Sequence, residues 1–230
     1  PAPAKVVPGP PQDAAEAGVY VVDKPGAAQS VLAVGRLGVE RKSPEVPALS
    51  LLNAIVGGQF SSRLNMNLRE EKGYSYGIGS EFRPLRAPGW FEIQGSVQTD
   101  VTRPSLIEIR GELAGLQGPK PLTDAEVEFA RRRAVYGFPG RFETTFDVAD
   151  QFSIIAAYEL PDDYLATTIR RIEAVDRETL QKLAGVHLKP ESMTTLIVGD
   201  RAAIEPELKK LPDGAAVRYV DEDGEPAVGK

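Results

Sequence analysis

Gly57-Gly58-Gln59-Phe60-Ser61-Ser62-Arg63-Leu64, followed by Leu68-Arg69-Glu70-Glu71-Lys72-Gly73-Tyr74-Ser75-Tyr76, is the densest run of structural signals in the chain. The paired glycines end a helix. Pro44 to Val56 places Leu49, Leu52, Ile55 and Val56 on one face at helical spacing. Ser61 or Ser62 can cap a second helix through Leu64 and Leu68 to Lys72, and Gly73 stops it. A strand then begins, with Tyr76, Ile78, Ser80 and Phe82 alternating with small or polar neighbours.

Downstream of the turn at Pro84, Pro88 and Gly89, the stretch Trp90 to Gln98 alternates more cleanly. Phe91, Ile93, Gly95 and Val97 share one face, and Glu92, Gln94, Ser96 and Gln98 the other. That is a half-buried antiparallel strand, wet on one side. Upstream, Val19 to Asp23 and Gln29 to Leu37 read as a hairpin joined by Lys24-Pro25-Gly26.

Helices dominate afterwards. Leu106, Ile109, Leu113 and Leu116 form an apolar stripe. Thr123 and Glu126 make a capping box for a helix carrying Val127, Ala130, Ala134 and Val135. Further helices are expected from Thr145 to Glu159, from a cap at Asp162 through Ile169, and along Leu180, Leu183, Ala184 and His187. Thr194 to Val198 is the last strand, ending at Gly199-Asp200. Strands, then helices, then a returning strand predict an α/β (α+β) two-layer sandwich. Its sheet is mixed, mostly antiparallel, and covered by helices on one face. The other face is partly open to solvent, a ligand or another domain.

Three regions divide the chain. Residues 1–18 hold Pro1, Pro3, Pro8, Pro10 and Pro11 and have a linker composition, the alternative being a frayed terminus. Residues 19–220 form the α/β domain, and residues 221–230 an acidic tail. The chain starts at Pro1 with no initiator Met, as an excised piece of a longer polypeptide would. No apolar run approaches the roughly 20 residues of a membrane helix.

Composition removes several chemistries. The 230 residues carry a net charge of -6, which disfavours nucleic acid as a partner. With no cysteine there is no disulfide, thiolate zinc site or iron–sulfur cluster. The single histidine, His187, cannot build a zinc site or serve a Ser–His–Asp triad beside a nucleophile elbow, and reads as a core or boundary residue. Glu70 and Glu71 are adjacent and do not face each other on a helix. Gly57-Gly58 lacks the Gly-Lys-Ser/Thr of a phosphate loop, and Gly77-Ile78-Gly79 lies inside a strand. Arg131-Arg132-Arg133 reads as a solvated or salt-bridged face.

The opening constellation survives this elimination. It resembles the zinc-free, C-terminal-type domain of the insulinase/pitrilysin metallopeptidases, in which Gly-Gly leads into Ser-Ser-Arg-Leu, then Leu-Arg-Glu, a Gly and a Tyr. Lys24-Pro25, Gln29-Ser30, Thr123 with Glu126, Leu160-Pro161 with Tyr164, and Val198-Gly199-Asp200 extend the match, in order, over residues 19–200. The resemblance implies a non-catalytic half of a zinc metalloendopeptidase with no metal and no cofactor on this chain. The zinc is then held on a partner domain or subunit across a pseudo-twofold interface. It also implies that Arg69 and Tyr76, seven residues apart, are auxiliary catalytic residues that bind peptide substrate and stabilise the oxyanion. Tyr74 competes with Tyr76 for that role. Read without the resemblance, Arg69 is a surface ion pair with a neighbouring Glu, and Tyr76 an amphipathic strand residue. The compartment is left open between the bacterial cell envelope (periplasm), to which bacterial relatives in the resembled family are often exported, and the cytoplasm. Two alternatives remain open: a non-enzymatic structural subunit, and a stand-alone peptide-binding module that adds a strand to its sheet edge.

Overall fold

The computed structural model describes residues 17–212 and 216–227. The Pro-rich segment therefore lies outside the described residues up to residue 16, and the end of the acidic tail from residue 228. Six strands form one sheet: β1 (Val19–Asp23), β2 (Gln29–Leu37), β3 (Ser75–Arg83), β4 (Trp90–Gln98), β5 (Thr194–Gly199) and β6 (Val217–Val220). Their order is β3-β4-β2-β5-β1-β6. The β3/β4, β4/β2 and β2/β5 pairs are antiparallel, and β1 runs parallel to both β5 and β6. The sheet is mixed and mostly antiparallel, as the patterning predicts.

The expected β1–β2 hairpin does not form. β5 lies between the two strands, pairing Val19 with Thr195 on one side and Leu32 with Ile197 on the other. β1 instead lies between β5 and β6, and β2 between β4 and β5.

The helices are α1 (Val46–Val56), α2 (Arg63–Asn65, continuing as a π-helical turn over Met66–Glu71), α3 (Thr102–Gly115), α4 (Asp124–Gly137), α5 (Thr145–Tyr158), α6 (Tyr164–Glu173), α7 (Arg177–His187) and α8 (Arg201–Leu208). Alternate strand residues Val19, Val21, Leu32, Val34, Phe91, Ile93, Val97 and Ile197 are buried in one cluster with residues of α1, α3, α4, α7 and α8. At about 25 cal/mol per Å² of apolar surface, this single cluster is the main stabilising term. On the opposite face Val31 and Leu196 stay 39% and 38% exposed, so that face is open.

Local chemistry sets the ends of the elements. The Thr123–Glu126 capping box forms, and a second one, Thr144 with Asp147, starts α5. The cap of α6 is Asp163 rather than Asp162, and it makes no side-chain bond. His187 is 8% exposed and pairs through Nε2 with Glu45 Oε2 at 2.9 Å, a satisfied boundary histidine. Arg131 and Arg132 both bind Glu128, giving a salt-bridged face. Residues 221–227 turn back on β6, with Ala227 N–H donating to the Tyr219 carbonyl at 2.9 Å.

Candidate functional site

The link between α1 and β3 is built for close approach. Gly57 closes α1, and its carbonyl accepts from Ser80 N–H on β3 at 3.0 Å. A Cβ at Gly57 would stand 2.7 Å from Ser80 N, so only glycine lets helix and strand meet there. Ser62 starts α2 without the expected side-chain bond, and its buried Oγ has no hydrogen-bond partner.

The helix that follows is anchored from several sides. Arg63 clamps the start of α4: Nε and one terminal nitrogen bind the two Glu126 oxygens at 2.6 and 2.7 Å, and the Lys120 and Pro121 carbonyls accept at 2.5 and 2.9 Å. Burial pushes the Glu126 carboxyl up, but the Arg63 and Thr123 hydrogen bonds outweigh it and hold the group below the usual range. Asn67 Nδ2 donates to Glu108 and Glu112 of α3 at 3.0 and 2.8 Å. Lys72 binds Glu108 at 2.9 Å, lowering that carboxyl, and Lys120 binds Glu112 at the same distance.

Asn65, 4% exposed, ties the turn to the strand. Its Nδ2 donates to the Phe60 carbonyl at 2.7 Å, and its Oδ1 accepts from Ile78 N–H at 3.3 Å. With Gly57, this occupies two outward N–H groups of β3, an edge strand.

Arg69 lies on the π-helical turn. Such turns hold one more residue than an α-turn and are frequent at functional sites. Tyr76 sits in a β-bulge: three steps on β3 (Ser75 to Ile78) oppose two on β4 (Val97 to Gly95). The alternation that grouped Tyr76 with Ile78, Ser80 and Phe82 therefore breaks at the extra residue, and the Tyr76 side chain is 88% exposed. A bulge re-aims a side chain in this way.

The two irregularities bring the two residues together. Arg69 Cζ stands 5.0 Å from the Tyr76 ring centroid and 4.6 Å from that of Phe60, itself 60% exposed. Arg69 Nε also lies 3.2 Å from Glu70 Oε1. The surface ion pair and the aromatic grouping thus coexist, and an exposed pair of this kind contributes only about 0–1 kcal/mol. Phe60 and Asn65 were not singled out from the sequence; both lie within the Gly-Gly-to-Tyr stretch, which was their one signal.

Among the described residues no group of three or more His, Cys, Asp or Glu side chains could hold a metal ion. The one histidine is committed to Glu45 in a boundary position. Among the described residues, no set of side chains fits a zinc centre. No described helix is long and apolar enough to cross a membrane.

A six-stranded mixed sheet covered by helices on one face is the α/β fold of the peptidase M16 inactive domain. The sequence model of the peptidase M16 inactive domain matches residues 1–134, and the chain belongs to that family. It is similar to the peptidase M16 inactive domain from Pseudomonas fluorescens, with 26% identity, 81% of this chain and 44% of that one covered, and a TM-score of 0.74. A protease from Helicobacter pylori is 22% identical over 80% of this chain and 44% of its own, with a TM-score of 0.73. A candidate zinc protease from Bordetella pertussis Tohama I is 20% identical over 76% of this chain and 96% of its own, with a TM-score of 0.64. The last two show the fold alone. The chain thus spans less than half the length of the first two. No curated protein matches it.

Proposed function

We propose that this chain is the non-catalytic half of a zinc metalloendopeptidase and lends Arg69 and Tyr76 to a cleavage site whose metal is held by a partner domain or subunit. The observation that carries this reading is the pairing of Arg69 with Tyr76 on two local irregularities, a π-helical turn and a β-bulge. Tyr76 is 88% exposed, and the Arg69 guanidinium lies over its ring. A guanidinium and a phenol O–H facing one space suit a peptide carbonyl. They hold the backbone in register, and they stabilise the negative charge that grows on its oxygen as water attacks. Phe60 stacks on the guanidinium and fixes its orientation.

Strand addition by a stand-alone binding module is less well supported. The β3 edge already donates at Ile78 and Ser80 to Asn65 and Gly57, and residues 221–227 fold back over β6. The test is cleavage of a quenched fluorescent peptide library by this chain with its zinc-bearing partner half. The chain alone is inactive, the pair cuts, and Arg69→Ala or Tyr76→Phe slows the pair about 100-fold without unfolding. Mutants that cut like wild type would reduce this half to a wall of the chamber.

A further inference from the structure

The far end of β3 carries a second group of unusual side chains. Arg41, in the loop between β2 and α1, is partly buried, and no carboxylate approaches it within ion-pairing distance among the described residues. Of its side-chain donors, only one terminal nitrogen is used, donating to the Tyr164 hydroxyl at 3.2 Å. Its Nε is buried without a partner. Tyr158 and Tyr164 flank the guanidinium, each with its ring centroid 5.9 Å away. A second guanidinium, Arg171 of α6, lies 5.7 Å from the same Tyr164 ring and also forms no ion pair among the described residues. Desolvating guanidinium groups without an anion is costly, because their donors go unmet.

Arg41 also lines a cavity of about 110 Å³. Its other walls are Val39, Val46, Leu49, Phe82 and Pro84, with Asn53 and Ser50 as the polar members. Asn53 Oδ1 is already taken by the Ser80 hydroxyl at 2.8 Å. The site therefore has donors to spare on an apolar floor, and it is small.

We infer that this cavity is an anion subsite taking a peptide carboxylate, with Arg41 as the charged partner and an apolar group seated against Val39, Leu49 and Phe82. A guanidinium fork can take a carboxylate through two parallel N–H bonds, and the Arg41 Nε–H is still unused. Six steps along β3 take the strand from Tyr76 to Phe82, about 20 Å at strand rise, so one extended peptide could reach both groups. This placement rests on the peptide reading above. The binding itself is measured on the chain alone and stands apart from cleavage.

The experiment is a titration of the 230-residue chain followed through the Arg41 side-chain Nε–H resonance. The probes are N-acetyl-leucine, its amide, N-acetyl-glutamate amide and inorganic phosphate. The acid is expected to shift the resonance and the leucine amide to leave it unmoved. Arg41→Gln, followed through the Phe82 and Asn53 amides, should weaken the acid at least tenfold. N-acetyl-glutamate amide shifting the resonance as strongly as N-acetyl-leucine would assign the carboxylate to acidic side chains, and no response to it would assign it to chain ends. Equal binding of acid and leucine amide, no binding of either acid, or tighter binding of phosphate overturns the inference. If Arg41→Gln fails to fold, Arg41→Lys serves, keeping the charge while losing the fork, and undiminished binding by it also overturns the inference.

Discussion

The Arg69 guanidinium carbon lies 5.0 Å from the centre of the Tyr76 ring, and 4.6 Å from the Phe60 ring, although the three residues sit on a turn, a helix and a strand. The two stacking contacts are worth about 0.5–1 kcal/mol each at an exposed site. Phe60→Ala should therefore slow cleavage by the paired halves about two- to fivefold, far less than Arg69→Ala. A full-sized loss in Phe60→Ala would mean that the ring itself holds the peptide.

Asn65 should matter to stability more than its helix position suggests. Replacing it with Ala leaves the Phe60 carbonyl and the Ile78 N–H unpaired at the base of the bulge. A loss of about 1–3 kcal/mol is expected in denaturant unfolding. The backbone resonances of Tyr76 and Gly77 should move with it, which a purely global destabilisation would not produce.

The Arg63 clamp makes a sharper demand. Its nitrogens serve both Glu126 oxygens and two carbonyls of the α3–α4 loop. Arg63→Ala should cost about 2–3 kcal/mol, and Arg63→Lys should recover only part of it, since an ammonium cannot reproduce the fork. Full recovery with lysine would show that charge alone is at work.

Gly57→Ala tests the close approach of α1 to β3. The new methyl would lie 2.7 Å from Ser80 N and 2.8 Å from its Cβ. A cost of about 1–3 kcal/mol is expected from overpacking, read as a lower urea midpoint.

Acid should remove the contribution of the Glu205 ion pairs on α8 over a defined window. Lys209 and Arg201 hydrogen-bond to Glu205 and lower its carboxyl from 4.5 to about 2. A lowered folded-state value means the stabilisation is present above the unfolded pKa and is lost as pH falls from about 4.5 toward 2. A carboxyl carbon titration should place the Glu205 midpoint near the lower figure, and Glu205→Gln should flatten the acid limb of stability over that window. A midpoint near 4.5 would mean that the two ion pairs do not persist in solution.

The elements most legible in the sequence were those with strong periodicity or a complete cap. The stripe at Leu106, Ile109 and Leu113 and the Thr123–Glu126 box gave α3 and α4 directly. Two elements escaped. α8 contains Pro206, which reads as a breaker, and β6 is only four residues long. Strand order escaped as well: the β1–β2 turn looks like a hairpin turn, and nothing local announces that Ile197 will be paired with Leu32. At the site, Arg69 and Tyr76 were named through family resemblance, while the turn and bulge that unite them have no spacing signature. Asn65 looked like an ordinary helix residue because its two bonds run to backbone groups brought near only by folding.

The place of β1 in the sheet has a consequence for biosynthesis. Its two neighbours, β5 and β6, are the last of the six described strands to be made, with Val19 opposite Thr195 and Val217. At about 5–20 residues per second, β1 waits about 10–35 s for the first of them to be translated. Through that interval the alternating valines of β1 have no native strand to pair with, and the nascent chain is exposed to mispairing. The chain should therefore lean on a holding chaperone during synthesis, until its final fifth has emerged.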